Sequence, residues 1–438
     1  MNLLGVKKSL KIFTDLKFAI VILMTIAIAS SLGSFIEQDE NFEFYQENYP
    51  LDKPIYGFIT WKTILFLGLD HVYINWWFLI LLIILSICLI SCTFTRQLPL
   101  FTNSKDYFFK KNKSSFLNLP FSVQIKNIYY LKENVINKIQ NSNFYIFQYG
   151  NLVYGYRGLV GRISPILVHL SLIIILGGAS WGAFNNFKAQ EILPKGEIFH
   201  IQNPIKIGNI TVLPDLNSRV NDFWVEYQDN RIKQFYTNLS ILNNKGIEIK
   251  NQTISVNNPL RYKNIDFYQS DWNLLGIRIK PDLTSNKILE VPLFPLKDKA
   301  KAWITWIEDK NGSSQTLIFD QLQNVFSVYN NQGNFIQTYN LGDRFDNNKQ
   351  VIDIIPATGL QIKYDPSIPI IYLGFGLLMV TAFLSYLPYT QIWIYNQKNI
   401  CWLGSLTNRG KINLEIEFEN LIREIEKFLF QTSFKRKL

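Results

Sequence analysis

The stretch R-G-L-V-G-R-I-S-P-I-L-V-H-L-S-L-I-I-I-L-G-G-A-S-W-G-A, residues 157–183, organises the whole chain. From Ile163 onward it is apolar and long enough to cross a bilayer, which takes about 20 residues. It contains one histidine, His169, and an ionisable side chain inside a membrane helix is costly enough to indicate a function. A basic segment precedes the stretch and a long polar segment follows it, so its two flanks define the two sides of a membrane.

Three further apolar runs have the length of membrane spans. The four predicted transmembrane helices are residues 18–36, 76–95, 163–184 and 368–387. Overall the 438 residues are 48% hydrophobic, but the apolar residues are concentrated in these runs and the segments between them are polar. We therefore predict a polytopic α-helical membrane protein with four transmembrane helices and one large soluble domain.

Charge is distributed unevenly between the connecting segments. Residues 1–17, 96–162 and 388–438 have net charges of +3, +8 and +3, whereas residues 37–75 have a net charge of −5. Because basic loops stay on the cytoplasmic side, the three basic segments are predicted to lie inside. The loop 37–75 and the large segment 185–367 are predicted to lie outside, on the lumenal or periplasmic side. The excess of positive charge thus indicates topology and contact with a lipid membrane, and no nucleic-acid partner is expected. No cleavable presequence is expected either, because the basic N-terminus leads directly into a span longer than a signal peptide's apolar region.

The inside segments contain patterns of regular structure. Alternation of apolar and polar residues predicts strands at Phe121–Lys126 and Phe144–Tyr156, and a helix is predicted at Tyr129–Gln140. The loop 96–162 is thus expected to be a small basic α+β element. In the C-terminal tail, apolar residues at helical spacing predict an amphipathic helix at Lys411–Phe430.

The outside segment 185–367 shows alternation typical of strands, with turn signals at Asn311-Gly312 and Gln332-Gly333. It is predicted to be all-β, a sandwich or barrel of many short strands. The segment has no cysteine, which excludes a disulfide framework. The chain also lacks any C-x-x-C, so it is neither a c-type cytochrome nor a thioredoxin-like reductase.

His169 and Arg162 are the first candidate site. They are seven residues apart, almost two helical turns, so both point the same way at about 10 Å along the helix axis. A neutral imidazole can ligate haem iron, and a guanidinium can pair with a haem propionate. His169 is therefore a candidate metal ligand and Arg162 a candidate cofactor-binding residue. The alternative is a structural histidine that is hydrogen-bonded to a neighbouring helix.

Other polar groups give weaker signals. Cys88 and Cys92 share one face of the second span, where buried free cysteines usually act as small hydrophobes. His71 follows Asp70 at the outer end of that span and is either an outer ligand or an interfacial residue. His200 has no acid or cysteine near it in sequence and is expected to be structural. Signatures of hydrolases and of nucleotide-binding enzymes are absent from the sequence.

Five stretches together resemble one family. They are G-S-F-I-E-Q-D-E-N-F-E-F-Y-Q-E-N-Y-P (33–50), L-G-L-D-H-V-Y-I-N-W-W-F (67–78), S-C-T-F-T-R-Q-L-P (91–99), G-R-I-S-P-I-L-V-H-L-S-L-I-I-I-L-G-G (161–178) and N-N-P-L-R-Y-K-N-I-D-F-Y-Q-S-D-W (257–272). In sequence and in order they resemble the ResB family, also called CcsB, and most nearly its plastid-encoded branch. The order of parts, three helices, a large outside domain and a fourth helix, is also that of the family.

The resemblance implies a role in System II cytochrome c biogenesis. Members work with CcsA, a haem-handling membrane protein. The pair transfers haem b across the thylakoid membrane, keeps its iron reduced and attaches it to the CxxCH cysteines of apocytochrome c. The family's intramembrane histidine corresponds to His169 and its inner-side thiol to Cys92, with His71 as an outer candidate. The expected place is the chloroplast thylakoid membrane with the large domain in the lumen, or the bacterial equivalent.

Two alternatives belong to other classes of protein. The chain could be a scaffold that binds no haem, stabilises CcsA and docks apocytochrome, which suits an all-β domain without thiols. A membrane-anchored sensor is a third reading, weakened because the inside segments contain no recognisable output domain. In none of these readings is the chain catalytic alone, because the sequence shows no general acid or base for thioether formation.

Overall fold

A computed structural model shows the arrangement of the chain. It describes residues 11–106, 108–126, 131–228, 231–281, 287–296, 301–308, 314–320, 322, 325–345, 349–397 and 400–435. The chain forms two compact units. The first contains the described residues up to Gln38, Leu67–Ser180 and those from Ser367 onward, and the second contains Asp39–Phe66 and Trp181–Pro366.

The helices, in chain order, are α1 (Leu16–Phe35), α2 (Phe42–Asn48), α3 (Trp61–Leu67), α4 (Trp76–Cys92), α5 (Leu98–Lys105), α6 (Lys113–Leu117), α7 (Leu131–Asn141), α8 (Val160–Asn185), α9 (Ile368–Leu384) and α10 (Lys411–Lys435). A 3-10 helix, Leu69–Ile74, precedes α4. A π-helical turn, Thr93–Gln97, joins α4 to α5.

Within the described residues, three helical segments are long and apolar enough to cross a membrane. They are α1, the continuous run Trp76–Ser104 and α8, with mean hydropathies of 2.2, 2.7 and 2.0. These segments identify a membrane protein. Helix α9 is also apolar but has only 17 residues, so a fourth crossing at this helix stays a prediction.

Helices α8 and α9 approach each other closely at glycines. A Cβ atom added at Gly178 would lie 3.0 Å from a side-chain carbon of Ile371, and one at Gly374 would lie 2.6 Å from a side-chain carbon of Ile175. Small residues let helix backbones approach in this way. Helices α8 and α9 therefore pack closely at Gly178 and Gly374.

The strands, in chain order, are β1 (Phe121–Lys126), β2 (Tyr145–Tyr149), β3 (Leu152–Arg157), β4 (Phe187–Pro194), β5 (Ile198–Phe199), β6 (Pro204–Ile207), β7 (Asn217–Gln228), β8 (Arg231–Leu242), β9 (Glu248–Ser255), β10 (Leu260–Tyr262), β11 (Ile265–Lys280), β12 (Leu289–Pro292), β13 (Phe294–Pro295), β14 (Trp303–Glu308), β15 (Ser314–Phe319), β16 (Val325–Tyr329), β17 (Phe335–Asn340), β18 (Arg344–Phe345), β19 (Lys349–Tyr364), β20 (Thr390–Gln397) and β21 (Ile400–Thr407).

The first unit contains an antiparallel five-stranded sheet of order β1-β21-β20-β3-β2. Its aliphatic face, with Ile392 and Leu403, packs against α7 and α10. Its opposite face is aromatic, with Tyr154 and Trp393 around Phe116 of α6. The strand predicted at Phe121–Lys126 is β1, whereas residues 129–130 of the predicted helix lie outside the described residues.

The tail differs from expectation. It was predicted to hold only an amphipathic helix, but it also supplies β20 and β21, the two strands in the middle of this sheet. Side chains of β20 are buried on both faces, Ile394 among aliphatic residues and Trp393 among aromatic residues. The strand therefore lacks the alternation of polar and apolar residues by which half-buried strands are predicted.

The second unit contains the domain that the sequence predicts to lie outside, and its described residues between 187 and 364 form strands and connecting loops. Its sheets are β10-β11-β19-β4-β6, with β12 beside β11 and β18 beside β19; β13-β14-β15-β16-β17; and β5-β7-β8-β9. One core lies around Phe267 and Leu239, and a second around Trp303 and Phe326. This bears out the prediction of a large β-rich domain. Helices α2 and α3, from the loop predicted at 37–75, belong to the same unit.

The predicted turns have different outcomes. Gln332-Gly333 lies in the hairpin between β16 and β17, where the Asn330 N–H donates to the Asn334 carbonyl at 3.0 Å. Gly333 has a φ of +79°, which glycine adopts without steric cost. Asn311-Gly312 lies outside the described residues.

Candidate functional site

His169 of α8 is half-buried and bonded to the end of α4 and the π-helical turn. Its Nδ1 lies 3.0 Å from Oγ1 of Thr93 and 3.3 Å from the carbonyl oxygen of Leu89. Its Nε2 lies 3.0 Å from the amide nitrogen of Gln97. The partners follow one another at four-residue intervals, so they lie along one side of the helix.

The hydrogen-bond pattern decides which ring nitrogen carries the proton. The Thr93 hydroxyl donates to the Leu89 carbonyl at 2.8 Å, so its oxygen faces Nδ1 as an acceptor. Both groups beside Nδ1 are thus acceptors, and Nδ1 must be the donor. A neutral imidazole then has its lone pair on Nε2, where it accepts from the Gln97 amide. This is the state of a metal-binding histidine, whose second nitrogen donates to an outer acceptor.

The position of Gln97 depends on the π-helical turn. Pro99 follows this turn and lacks the N–H that would bond to the carbonyl of Thr95 in a regular α-helix. Such local widenings of a helix are frequent at functional sites. Oε1 of Gln97 is buried and has no hydrogen-bond partner among the described residues. The Gln97 amide is therefore only partly satisfied while it caps His169.

Arg162 lies in the first turn of α8, against the segment that follows α9. Its guanidinium carbon is 5.0 Å from the ring centroid of Tyr389. Its Nε is buried and has no hydrogen-bond partner among the described residues. A cation over an aromatic ring with a free N–H is suited to a partly buried anionic oxygen.

Tyr389 is held firmly beneath this guanidinium. Its hydroxyl donates to the Ser104 carbonyl at 3.0 Å and lies 3.2 Å from the hydroxyl of Tyr154. Burial, and next the hydrogen bond with Tyr154, raise the pKa of Tyr389 above its ordinary value, so it stays neutral. The ring therefore offers Arg162 an uncharged surface.

Glycines bring the start of α8 against the end of the α9 segment. A Cβ at Gly161 would lie 2.1 Å from the Leu387 carbonyl oxygen, and one at Gly158 would lie 2.1 Å from that of Pro388. Gly158 also has a φ of +79°. Larger residues at either position would move Arg162 away from Tyr389.

Comparison with known proteins assigns the family. The model of the ResB-like family matches residues 16–334 and 310–419. The chain belongs to the ResB-like family. "Cytochrome c biogenesis protein Ccs1" of Thalassiosira pseudonana is 43% identical over 419 residues, which cover 94% of this chain and 99% of that protein. "Cytochrome c biogenesis protein CcsB" of Crocosphaera subtropica is 40% identical over 433 residues, covering 96% and 95%. "Cytochrome c biogenesis protein Ccs1" of Porphyra purpurea is 40% identical over 415 residues, covering 93% and 94%.

In this ResB-like chain, the cysteines lie beside the histidine site. Cys92 is half-buried and directly precedes Thr93, while Cys88 is buried one turn earlier on the same side of α4. Each cysteine directly precedes, in the chain, a residue that is bonded to His169: Cys88 precedes Leu89 and Cys92 precedes Thr93. No group of three or more His, Cys, Asp or Glu able to hold a metal occurs in the part of the chain that the structure describes.

His71 of the ResB-like chain occupies a constrained position in the 3-10 helix. Its Nδ1 pairs with Asp70 at 2.8 Å, and its side chain is 41% exposed. Gln38 fixes this segment, because its amide donates to the Leu69 carbonyl at 2.8 Å and its carbonyl accepts from the Val72 N–H at 2.9 Å. Two of the family stretches therefore bind each other at this segment.

Thr93 and Gln97 are site residues that the sequence did not predict. Thr93 and Gln97 lie in the stretch S-C-T-F-T-R-Q-L-P, and the signal for them was their four-residue spacing at the end of a span that faces a histidine-containing span. His200 is exposed and bonded to Gln202 at 2.9 Å, which agrees with a structural role.

Proposed function

We propose that this chain acts in cytochrome c biogenesis as one subunit of a System II synthase. It would work with a CcsA-type membrane protein in transferring haem b, as substrate, across the membrane to apocytochrome c. The observation that carries the proposal is the state of His169, whose Nδ1–H is donated and whose Nε2 keeps its lone pair. The names of the relatives, cytochrome c biogenesis proteins Ccs1 and CcsB, support the process in which we propose that this histidine acts.

The residues around His169 fit haem as a transient ligand. Nε2 of a neutral imidazole is an axial ligand for iron, and Nδ1–H is held by two oxygens that fix the ring's orientation. Arg162, two turns earlier in α8, has a free N–H for a propionate. Cys92 is proposed as a further haem contact on the inner side, on the strength of the family resemblance. His71 is proposed as an outer haem contact because of its position beside Asp70, just before α4.

The proposed topology has four crossings, with α9 as the fourth and both termini inside. The basic segments 1–17, 96–162 and 388–438 support it. The β-rich domain would lie in the thylakoid lumen of a chloroplast, or in the equivalent space of a bacterium. There it would receive apocytochrome c or shield the reduced haem.

The chain's own chemistry in this proposal is binding and orientation. Thioether formation requires the reduced CxxCH thiols of apocytochrome c and the vinyl groups of haem. The His169–Thr93–Leu89 group offers no proton donor toward a reacting thiol, because its one ring proton is already donated. The chain is therefore proposed as a subunit of the haem-attaching complex and not as an enzyme by itself.

A second candidate function is a scaffold that binds no haem, stabilises the CcsA-type protein and docks apocytochrome. One observation favours it. Both nitrogens of His169 are already hydrogen-bonded within the protein, which is what a purely structural histidine shows. The haem-binding function requires that the Gln97 amide release Nε2 of His169, whereas the scaffold function leaves this hydrogen bond intact.

The deciding experiment compares absorption spectra of complexes purified with the CcsA-type protein. The variants are His169→Ala and, as a matched control, His200→Ala, which removes an exposed histidine. Haem in the wild type and in His200→Ala, with loss or shift of its bands in His169→Ala and recovery with imidazole, establishes His169 as an axial ligand. Unchanged haem content and bands in His169→Ala refute the ligand role and leave the scaffold.

A further inference from the structure

Four exposed aliphatic residues lie close together in the sequence, on β6 and the loop after it. Ile205, Ile207, Ile210 and Val212 are 41%, 44%, 65% and 86% exposed. Ile205 and Ile207 alternate along the strand and therefore point the same way. We call these four residues the isoleucine strip. A cluster of this kind on a soluble surface marks a contact with a membrane or a protein.

The strip is bonded to the end of the spanning helix α8. The Gly208 N–H donates to the Asn186 carbonyl at 2.8 Å, and the Ile210 N–H donates to the Phe184 carbonyl at 3.0 Å. The Thr211 hydroxyl bonds to both carbonyls, at 3.0 and 3.3 Å. Carbonyl groups at the end of a helix need such outside partners, so the loop closes α8 directly.

Glycine makes this close approach possible. A Cβ at Gly208 would lie 2.3 Å from the Phe184 carbonyl oxygen, so only glycine fits there without movement of the backbone. The strip is thus held within a few ångströms of the last turn of α8, and its depth along the membrane normal follows that of the helix end.

A second tether leads to the end of α1. Nζ of Lys206 pairs with Asp39 at 3.3 Å, and both side chains are less than 20% exposed. Asp39 follows the last residue of α1, Phe35, by four positions. The strip is therefore also tied to the segment that follows α1 in the chain.

A tryptophan near the end of α8 indicates how deep this end of the helix lies in the membrane. Trp181 lies one turn before the end of α8 and is 53% exposed. Tryptophans are enriched where spanning helices leave the hydrocarbon core. Apolar side chains at that depth are buried about 5–10 Å into the boundary between headgroups and acyl chains.

We infer that the isoleucine strip inserts into the membrane interface on the side of the β domain and that its partner is lipid. The strip contains only aliphatic side chains, whereas protein interfaces concentrate binding energy in Trp, Tyr and Arg. Lys206, between two members of the strip, is already paired with Asp39 and so places no free charge among them. The inference depends on α8 crossing the membrane and not on haem binding.

The test places an environment-sensitive thiol label at Val212→Cys and, separately, at Ile210→Cys. The full chain is reconstituted in phosphatidylcholine nanodiscs with and without brominated acyl chains. Unsubstituted protein gives the background, because Cys88 and Cys401 are buried and Cys92 is half-buried. Lys245→Cys, on an exposed hairpin turn, is the matched control.

We expect brominated lipid to lower the fluorescence at 210 and 212 by about two-fold or more and to leave 245 unchanged, as interfacial insertion requires. Soluble iodide should quench position 245 more strongly than positions 210 and 212. Equal iodide quenching at all three positions, without lipid quenching, would show that the strip faces water and would overturn the inference. Protection of positions 210 and 212 only when the CcsA-type protein is present would overturn it in favour of a protein interface.

Discussion

Replacing Gln97 with alanine should make Nε2 of His169 easier to reach. In the structure, the Gln97 amide lies 3.0 Å from Nε2, so a haem iron bound there as proposed would compete with the amide for one lone pair. A net hydrogen bond contributes about 0.5–1.5 kcal/mol, which corresponds to about a two- to twelve-fold gain in haem affinity when the competitor is removed. The buried Oε1 without a partner adds nothing to hold Gln97 in place, so the cost of the substitution to folding should be small.

The assay is a titration of the haem-free complex with haem, followed by the Soret band. Gln97→Ala is compared with Gln124→Ala, which removes an exposed glutamine of β1 and should have no effect. Gln97→Glu serves as the opposite perturbation, because a carboxylate favours a proton on Nε2 and should weaken haem binding.

Two results would refute this reasoning. If Gln97→Ala binds haem with unchanged or lower affinity while its thermal unfolding matches that of the wild type, Gln97 does not compete for Nε2. If Gln97→Glu binds as tightly as Gln97→Ala, the assignment of the proton to Nδ1 is wrong. If His169→Ala loses haem but neither substitution at Gln97 changes haem affinity, His169 is a ligand and Gln97 does not compete with haem for it.

Three further predictions concern the first turn of α8 and the core of the five-stranded sheet. Gly161→Ala places a Cβ 2.1 Å from the Leu387 carbonyl oxygen and should cost about 1–3 kcal/mol, seen as a lower thermal midpoint in detergent. Arg162→Gln removes the charge over Tyr389 and should lower haem retention about ten-fold while leaving the band positions set by His169 unchanged; shifted bands would contradict the separate roles. Burial raises the pKa of Cys401 to about 12, so alkylation at pH 8 should modify it only after denaturation, as mass spectrometry would show. Because the pKa of Cys401 in the folded protein lies above the ordinary thiol value of 9.0, burial of the neutral thiol contributes its full stability below pH 9. That contribution is lost as the pH rises toward 12.

Local patterns of hydropathy carried most of the sequence prediction. Spans and alternating strands depend on neighbouring residues, so α1, α4, α8 and the β-rich domain follow from local patterns. The glycine at 178 was also recognisable, because small residues in a span indicate a close helix contact.

Contacts between distant segments were not predictable in the same way. Gln97 and Thr93 are ordinary polar residues at the end of a span until α8 places a histidine opposite them. The partner of Arg162 was missed for the same reason, since Tyr389 comes from a segment after α9. Such pairings depend on which helices meet, and no local pattern contains that information.

The arrangement of the five-stranded sheet has a consequence for biosynthesis. Strand β3 pairs with β20, and β1 pairs with β21. During translation, β1 and β3 are therefore synthesised long before the strands with which they pair. Until then their unpaired edges are open to aggregation or to chaperones. In a polypeptide that ends before Thr390, these strand edges would remain unpaired. Completion of this sheet therefore requires that the β-rich domain and α9 have been synthesised first.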